Sequence, residues 1–132
     1  MNIGFIGTGL MGAPMIKNLL KSKHQISIFN RTISKAKKLK KYGAYLSYKI
    51  EELVKDKEII ITMLTDDKAV NDIIRSKTFL NNVCKETTVI DMSSTKPSTA
   101  LDNYKTLKKK GVYFLDAPVS GGTKGAESAS LA

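Results

Sequence analysis

Apolar residues along the chain alternate between two spacings. Asn2–Gly7 is a short apolar run that ends in glycine and reads as a strand. From Leu10 to Lys21 the apolar residues Leu10, Met11, Met15, Ile16, Leu19 and Leu20 recur at helical spacing, with Lys17 and Lys21 on the other face. Gln25–Phe29 returns to strand period, Ile26 and Ile28 alternating with Gln25 and Ser27. The same switch continues down the chain. A short basic helix is expected over Ser34–Lys41, with Thr32 or Ser34 as its N-cap and Tyr42-Gly43 as its stop. Ala44–Ser47 reads as an edge strand, Ile50–Val54 as a helix, and Glu58–Leu64 as a strand covered on both faces. Asp67–Arg75 is helical, with Asp66 and Asp67 at its positive end. Thr88–Met92 is a buried-type strand. Pro97–Lys110 is a helix with Pro in its first turn and Gly111 after its end, and Val112–Asp116 is a sixth strand. Pro118 to Gly125 reads as loop.

Strands alternating with crossover helices give a parallel sheet. The expected fold is α/β, a doubly wound sheet of Rossmann type in the order 3-2-1-4-5-6, forming one domain over residues 1–132. Asn30, Thr65, Ser93 and Ala117 then follow the carboxyl ends of strands two, four, five and six. Ligands of such sheets bind outside those ends, so these loops form one rim.

Composition narrows the picture. The chain has 132 residues, 42% of them apolar, enough for one core without staples. A single cysteine, Cys84, excludes an internal disulfide and suits a reducing compartment, so a cytoplasmic location is expected. One His and one Cys leave no ligand set for zinc. No run approaches a membrane span, and Met1-Asn2-Ile3-Gly4 lacks the basic start of a secretory signal.

The net charge is +10, and all of the excess lies in residues 1–50, which contain ten basic residues and no Asp or Glu. Lysines on solvated helix faces are one reading of this. A polyanionic partner or a phosphorylated small ligand is the other. Only Arg31 and Arg75 are arginines, which argues against sequence-reading contacts to nucleic acid.

Gly7-Thr8-Gly9-Leu10-Met11-Gly12 is G-x-G-x-x-G, placed directly after a strand and opening a helix. The first Gly permits the tight turn, the second lets a pyrophosphate reach the backbone, and the third lets helix and strand pack closely. Free amides and the positive helix end then face the phosphates. No Gly-Lys-Ser/Thr follows, so this is not a Walker loop. An NAD site usually carries Asp or Glu about 20 residues further on. Here that position reads Asn30-Arg31-Thr32, with Lys35 one turn later and no carboxylate before Glu51. Such a set suits the 2′-phosphate of NADP. Each charged hydrogen bond is worth about 1.5–3 kcal/mol, and two could favour NADP over NAD by about one to several hundred-fold, with screening pulling the figure down. Arg31 could also stack on the adenine.

Ile3–Leu20, Asn30-Arg31-Thr32, Asp91-Met92-Ser93-Ser94-Thr95 and Asp116-Ala117-Pro118-Val119-Ser120-Gly121-Gly122 together resemble the β-hydroxyacid dehydrogenases. That family includes 3-hydroxyisobutyrate dehydrogenase, tartronate semialdehyde reductase and the glyoxylate/succinic semialdehyde reductases, with 6-phosphogluconate dehydrogenase more distant. The resemblance implies an NAD(P)-dependent oxidoreductase that moves a hydride between a nicotinamide and a small β-hydroxyacid or semialdehyde. It implies that Gly7, Gly9, Leu10, Met11 and Gly12 hold the pyrophosphate. Asn30, Arg31 and Thr32 match the NADP-preferring branch. Met63 and Leu64 would pass beside the adenosine or nicotinamide, and Thr95 would touch the nicotinamide ribose. Ser120, Gly121 and Gly122 would bind the substrate carboxylate. The chain departs from the family pattern at Thr65-Asp66-Asp67, where Pro is common after Leu64, and at Ala129, where a further Gly is usual.

The resemblance also implies a second, helical domain carrying a catalytic Lys that acts as general acid/base. No Lys of this chain sits in that motif, so no catalytic residue is assigned. The expectation is an NADP-binding domain truncated at its C-terminal end, which binds cofactor with little or no turnover. Its uncovered docking surface would pair with the helical domain or with a second copy of the chain. Two alternatives stay open: a non-catalytic dinucleotide-binding or interaction module, and a basic nucleic-acid-binding module.

Overall fold

A computed structural model describes residues 1–132. The elements in chain order are β1 (Asn2–Ile6), α1 (Gly12–Lys21), β2 (Gln25–Phe29), α2 (Ile33–Lys37), a 3-10 turn at Lys40–Tyr42, β3 (Tyr45–Leu46), α3 (Ile50–Val54) and β4 (Ile59–Thr62). They continue with α4 (Asp67–Ile74), α5 (Lys77–Asn82), β5 (Thr88–Asp91), α6 (Pro97–Lys108), β6 (Tyr113–Asp116) and α7 (Gly122–Ser128).

The six strands form one sheet in the order β3-β2-β1-β4-β5-β6, every pair parallel, as the alternation of periods predicts. Side chains of a strand alternate between faces, so each central strand feeds two cores. Ile3 and Phe5 of β1 and Ile61 of β4 join Met15, Ile16, Ile26 and Ile28 on one face. Ile6 and Ile60 point to the other, among Leu53, Val54, Val70, Ile74, Phe79 and Leu107. β1 and β4 lie side by side, Ile6 opposite Thr62, so their carboxyl ends open at one level. No helix is long and apolar enough to cross a membrane.

Three expectations change. The segment read as loop from Pro118 to Gly125 contains the start of α7. Its Gly125 and Ala126 are buried, and the Asn18 amide of α1 donates to the Ala126 carbonyl at 2.7 Å, so packing on α1 overrides the poor helix propensity of glycine. Second, α5 has no counterpart in the pattern reading. The Ser76 side chain caps it by accepting from the Phe79 amide, and Phe79 fills the second core. Third, the helix expected over Ser34–Lys41 is shorter: α2 ends at Lys37 and a 3-10 turn follows at Lys40–Tyr42, with Thr32 at the N-cap as expected but making no side-chain cap bond. Asp66 and Asp67 divide their roles. Asp66 caps α4 through the Ala69 amide at 2.8 Å, whereas Asp67 reaches across to the start of α6.

Candidate functional site

The turn between β1 and α1 is fixed by close backbone approaches. Gly7 has φ +107, its amide donates to the Phe29 carbonyl at 2.9 Å, and a Cβ there would collide with the Met63 carbonyl. A Cβ on Gly12 would collide with the Gly7 carbonyl, so the third glycine sets how closely the helix approaches the strand. Gly9 differs from both: nothing lies within 4 Å of the place its Cβ would occupy. The amides of Gly9, Leu10 and Met11 make no hydrogen bond within the chain, and Met11 at the N-cap of α1 has no side-chain cap. The helix therefore presents unpaired donors to open space, the arrangement that favours an anion.

The end of β2 is tied to this turn. The Thr8 amide donates to Asn30 Oδ1 at 2.9 Å, and Asn30 Nδ2 donates to the Thr32 carbonyl at 3.0 Å. Both polar atoms of Asn30 are thus engaged within the chain, so the expected neutral donor for a phosphate is a brace between the two loops. Arg31, Thr32 and Lys35 follow on the exposed side, with no carboxylate paired to Arg31 or Lys35. Gly7, Gly9, Asn30, Arg31, Thr32 and Lys35 line one cleft of about 300 Å3 together with Met63 and Leu64.

The far wall of that cleft is α4, which the sequence reading did not assign to the site. Ala69, Asp72 and Ile73 face the cleft, and Asp72 is paired with Lys68 at 2.6 Å. The Asp72 carboxylate holds the Lys68 ammonium above its ordinary pKa, while the positive charge of Arg31 opposes that shift. Only the i, i+4 spacing of Lys68 and Asp72 signals this pair in the sequence.

Met63 and Leu64 are held by the strands behind them. The Met63 amide donates to the Ile6 carbonyl at 3.0 Å and the Leu64 amide to Ser93 Oγ at 2.9 Å. Ser93 is positioned in turn by Asp91, whose Oδ1 accepts from the Ser93 amide at 3.1 Å and from Thr62 Oγ1 at 2.8 Å. Thr62 and Asp91 are fully buried. This network across β4 and β5 sets the floor of the rim.

The other expected residues stand apart from the cleft. Leu10 is 85% exposed on the outer side of the turn. Met11 and Gly12 belong to the helix start and do not line the cleft. Thr95 sits half-buried in the loop after β5. That loop is anchored by Asp67, which accepts from the Lys96 amide at 2.9 Å and from Thr99 Oγ1 at 2.6 Å. These two bonds, the Thr99 hydroxyl foremost, lower the pKa of the Asp67 carboxyl. Ser120, Gly121 and Gly122 are exposed at the start of α7. The Ser120 amide is taken by the Ala132 carbonyl at 2.7 Å, so it is not a free donor. Gly121 and Gly122 both have positive φ, +130 and +61, and their amides make no bond within the chain, which leaves a small nest of donors.

Fold and turn together define a dinucleotide-binding α/β domain of Rossmann type. The cleft and the adjoining turn fit a dinucleotide: unpaired amides stand at Gly9 to Met11, the space over Gly9 is open, and Arg31 and Lys35 line the cleft at and just beyond the end of β2. The family model described as the NAD binding domain of 6-phosphogluconate dehydrogenase matches residues 2–132, and the chain belongs to that family. It is similar to the mitochondrial 3-hydroxyisobutyrate dehydrogenase of Drosophila melanogaster, 39% identical over 130 residues, covering 98% of this chain and 40% of the relative. It is also similar to glyoxylate/succinic semialdehyde reductase 1 of Arabidopsis thaliana, 36% identical over 132 residues, covering 99% of this chain and 46% of the relative. Among solved structures, 3-hydroxyisobutyrate dehydrogenase from Mycobacterium tuberculosis matches with a TM-score of 0.93 at 32% identity, covering 98% of this chain and 44% of that one. The chain thus spans less than half the length of these relatives.

Proposed function

We propose that residues 1–132 bind NADP in preference to NAD, as the cofactor domain of an oxidoreductase acting on a small β-hydroxyacid or semialdehyde. The observation that carries this reading is the end of β2, where Arg31, Thr32 and Lys35 face one cleft with the phosphate turn and no carboxylate stands at the strand end. A 2′-phosphate there gains charged donors, whereas the ribose hydroxyls of NAD find no carboxylate at the strand end to accept from them, and the Asp72 carboxylate on the far wall of the cleft is paired with Lys68. Gly9, Leu10 and Met11 donate their amides to the pyrophosphate, and Asn30 keeps the two loops in register. Met63 and Leu64 pack the cofactor from the β4 side, and Thr95 supports the nicotinamide ribose. Bound there, the nicotinamide supplies or accepts the hydride. Ser120, through its hydroxyl, and Gly121 and Gly122, through their amides, orient the substrate carboxylate. The chain's own work is binding and orientation, and turnover by residues 1–132 alone is expected to be little or none.

A thermal-shift titration with NADPH and NADH side by side tests the reading. The expected result is a larger stabilisation by NADPH at equal concentration. Equal shifts would overturn the preference, and no shift with either would overturn the binding.

A further inference from the structure

A second hollow, of about 420 Å3, lies on the other side of the phosphate turn, between α1 and the segment formed by α2 and the 3-10 turn. Four lysines from three elements line it: Lys17 of α1, Lys35 of α2, Lys38 just beyond it, and Lys41 of the 3-10 turn. No acidic residue lines it, and none occurs in the chain before Glu51. Nor does any of the four form an ion pair, since the pairs in the chain are Lys68–Asp72 and Arg75–Asp102.

Lysines on a convex face splay into water, where their repulsion is screened. Here they converge on a concave space with apolar walls, including the exposed side chain of Leu10 and the ring of Tyr42. Two of the ammoniums are held against that ring, Lys17 at 4.5 Å and Lys41 at 5.3 Å from its centroid. Low-dielectric walls around charges of one sign focus the field into the hollow. An anion entering it relieves the mutual repulsion of the four lysines and meets several donors at once.

We propose that this hollow is a second anion site, adjoining the dinucleotide cleft and sharing Gly9 and Lys35 with it, that takes a small ligand carrying more than one phosphate or carboxylate group. The bounded volume favours a small molecule over an extended nucleic-acid backbone. So does the absence of arginine, because Arg31 lines the cleft and not the hollow. Lys17, Lys38 and Lys41 do not line the cleft, so the two sites can be separated by substitution. The proposal stands whether or not the cleft prefers NADP.

The test uses inorganic tripolyphosphate as the probe, titrated calorimetrically into the chain and followed by amide NMR. The expected result is one saturable site that shifts the amides of Ala13, Lys17 and Lys38–Tyr42. Lys17→Ala/Lys41→Ala should weaken it about tenfold or more, for two lost charged contacts. Lys77→Ala/Lys105→Ala, on α5 and α6, should leave it unchanged. Wild-type affinity in the Lys17→Ala/Lys41→Ala chain would overturn the proposal. So would shifts confined to Gly7–Gly12, which mean binding at the dinucleotide turn alone. A short DNA duplex that binds while tripolyphosphate does not would replace the small ligand with nucleic acid.

Discussion

The Thr8 amide donates to Asn30 Oδ1 at 2.9 Å, across 22 residues of sequence. This bond joins the phosphate turn to the end of β2. Since Asn30 Nδ2 also holds the Thr32 carbonyl, one side chain sets the position of Arg31 relative to the turn. Asn30→Ala leaves a part-buried amide without a partner. It should lower stability by about 1–3 kcal/mol. It should also weaken NADPH and NADH together, because the brace serves both, and urea unfolding with parallel titrations checks this.

Gly9 and Gly12 predict opposite failures. At Gly9 an added methyl meets no protein atom, so Gly9→Ala should fold normally. Its methyl enters the space a pyrophosphate needs, so either dinucleotide should bind at least about tenfold more weakly. At Gly12 the methyl meets the Gly7 carbonyl, so Gly12→Ala should lower the melting temperature first. Melting curves with and without dinucleotide separate the two outcomes.

Ala129 ends α7 with φ +57, a left-handed conformation that favours glycine. Ala129→Gly should therefore stabilise the chain by about 1 kcal/mol, even after the added entropy of the unfolded state. Denaturant midpoints at unchanged slope would show it.

Asp67 ties α4 to the loop before α6, and its carboxyl pKa is lowered by the Thr99 hydroxyl and the Lys96 amide. A lowered folded-state pKa means the unfolded chain takes up the proton first as pH falls. The contribution is complete above the ordinary Asp pKa of about 4 and is lost as pH falls through the lowered folded value. The wild type should be more stable than Asp67→Asn at neutral pH, with the gap closing below about pH 4. A gap independent of pH would remove the carboxylate from this role.

The sheet order was legible because each strand is a short apolar run closed by a polar or glycine residue, and Gly7-x-Gly9-x-x-Gly12 marks the first crossover. α7 was not, because two of its seven residues are glycine and its stability comes from tertiary contacts. A Cβ on Gly125 would lie 3.1 Å from Leu131 Cδ2, so this glycine serves packing, which no local pattern reveals. Asn30 was legible as the residue closing β2 at the rim, but its bracing role depends on Thr8 lying beside it in space. The basic excess of residues 1–50 was plain in the sequence. Its convergence on one hollow depends on how α2 and the 3-10 turn pack against α1.

The most direct measurement is the ratio of NADH to NADPH dissociation constants in the wild type and in Arg31→Ala, by calorimetry in one buffer at physiological salt. The wild-type ratio should favour NADPH by about tenfold or more and fall toward one in Arg31→Ala, with NADH affinity changed little. Equal affinities in the wild type, or an Arg31→Ala chain that loses both dinucleotides to the same extent, would contradict the assignment of the β2 end to a 2′-phosphate.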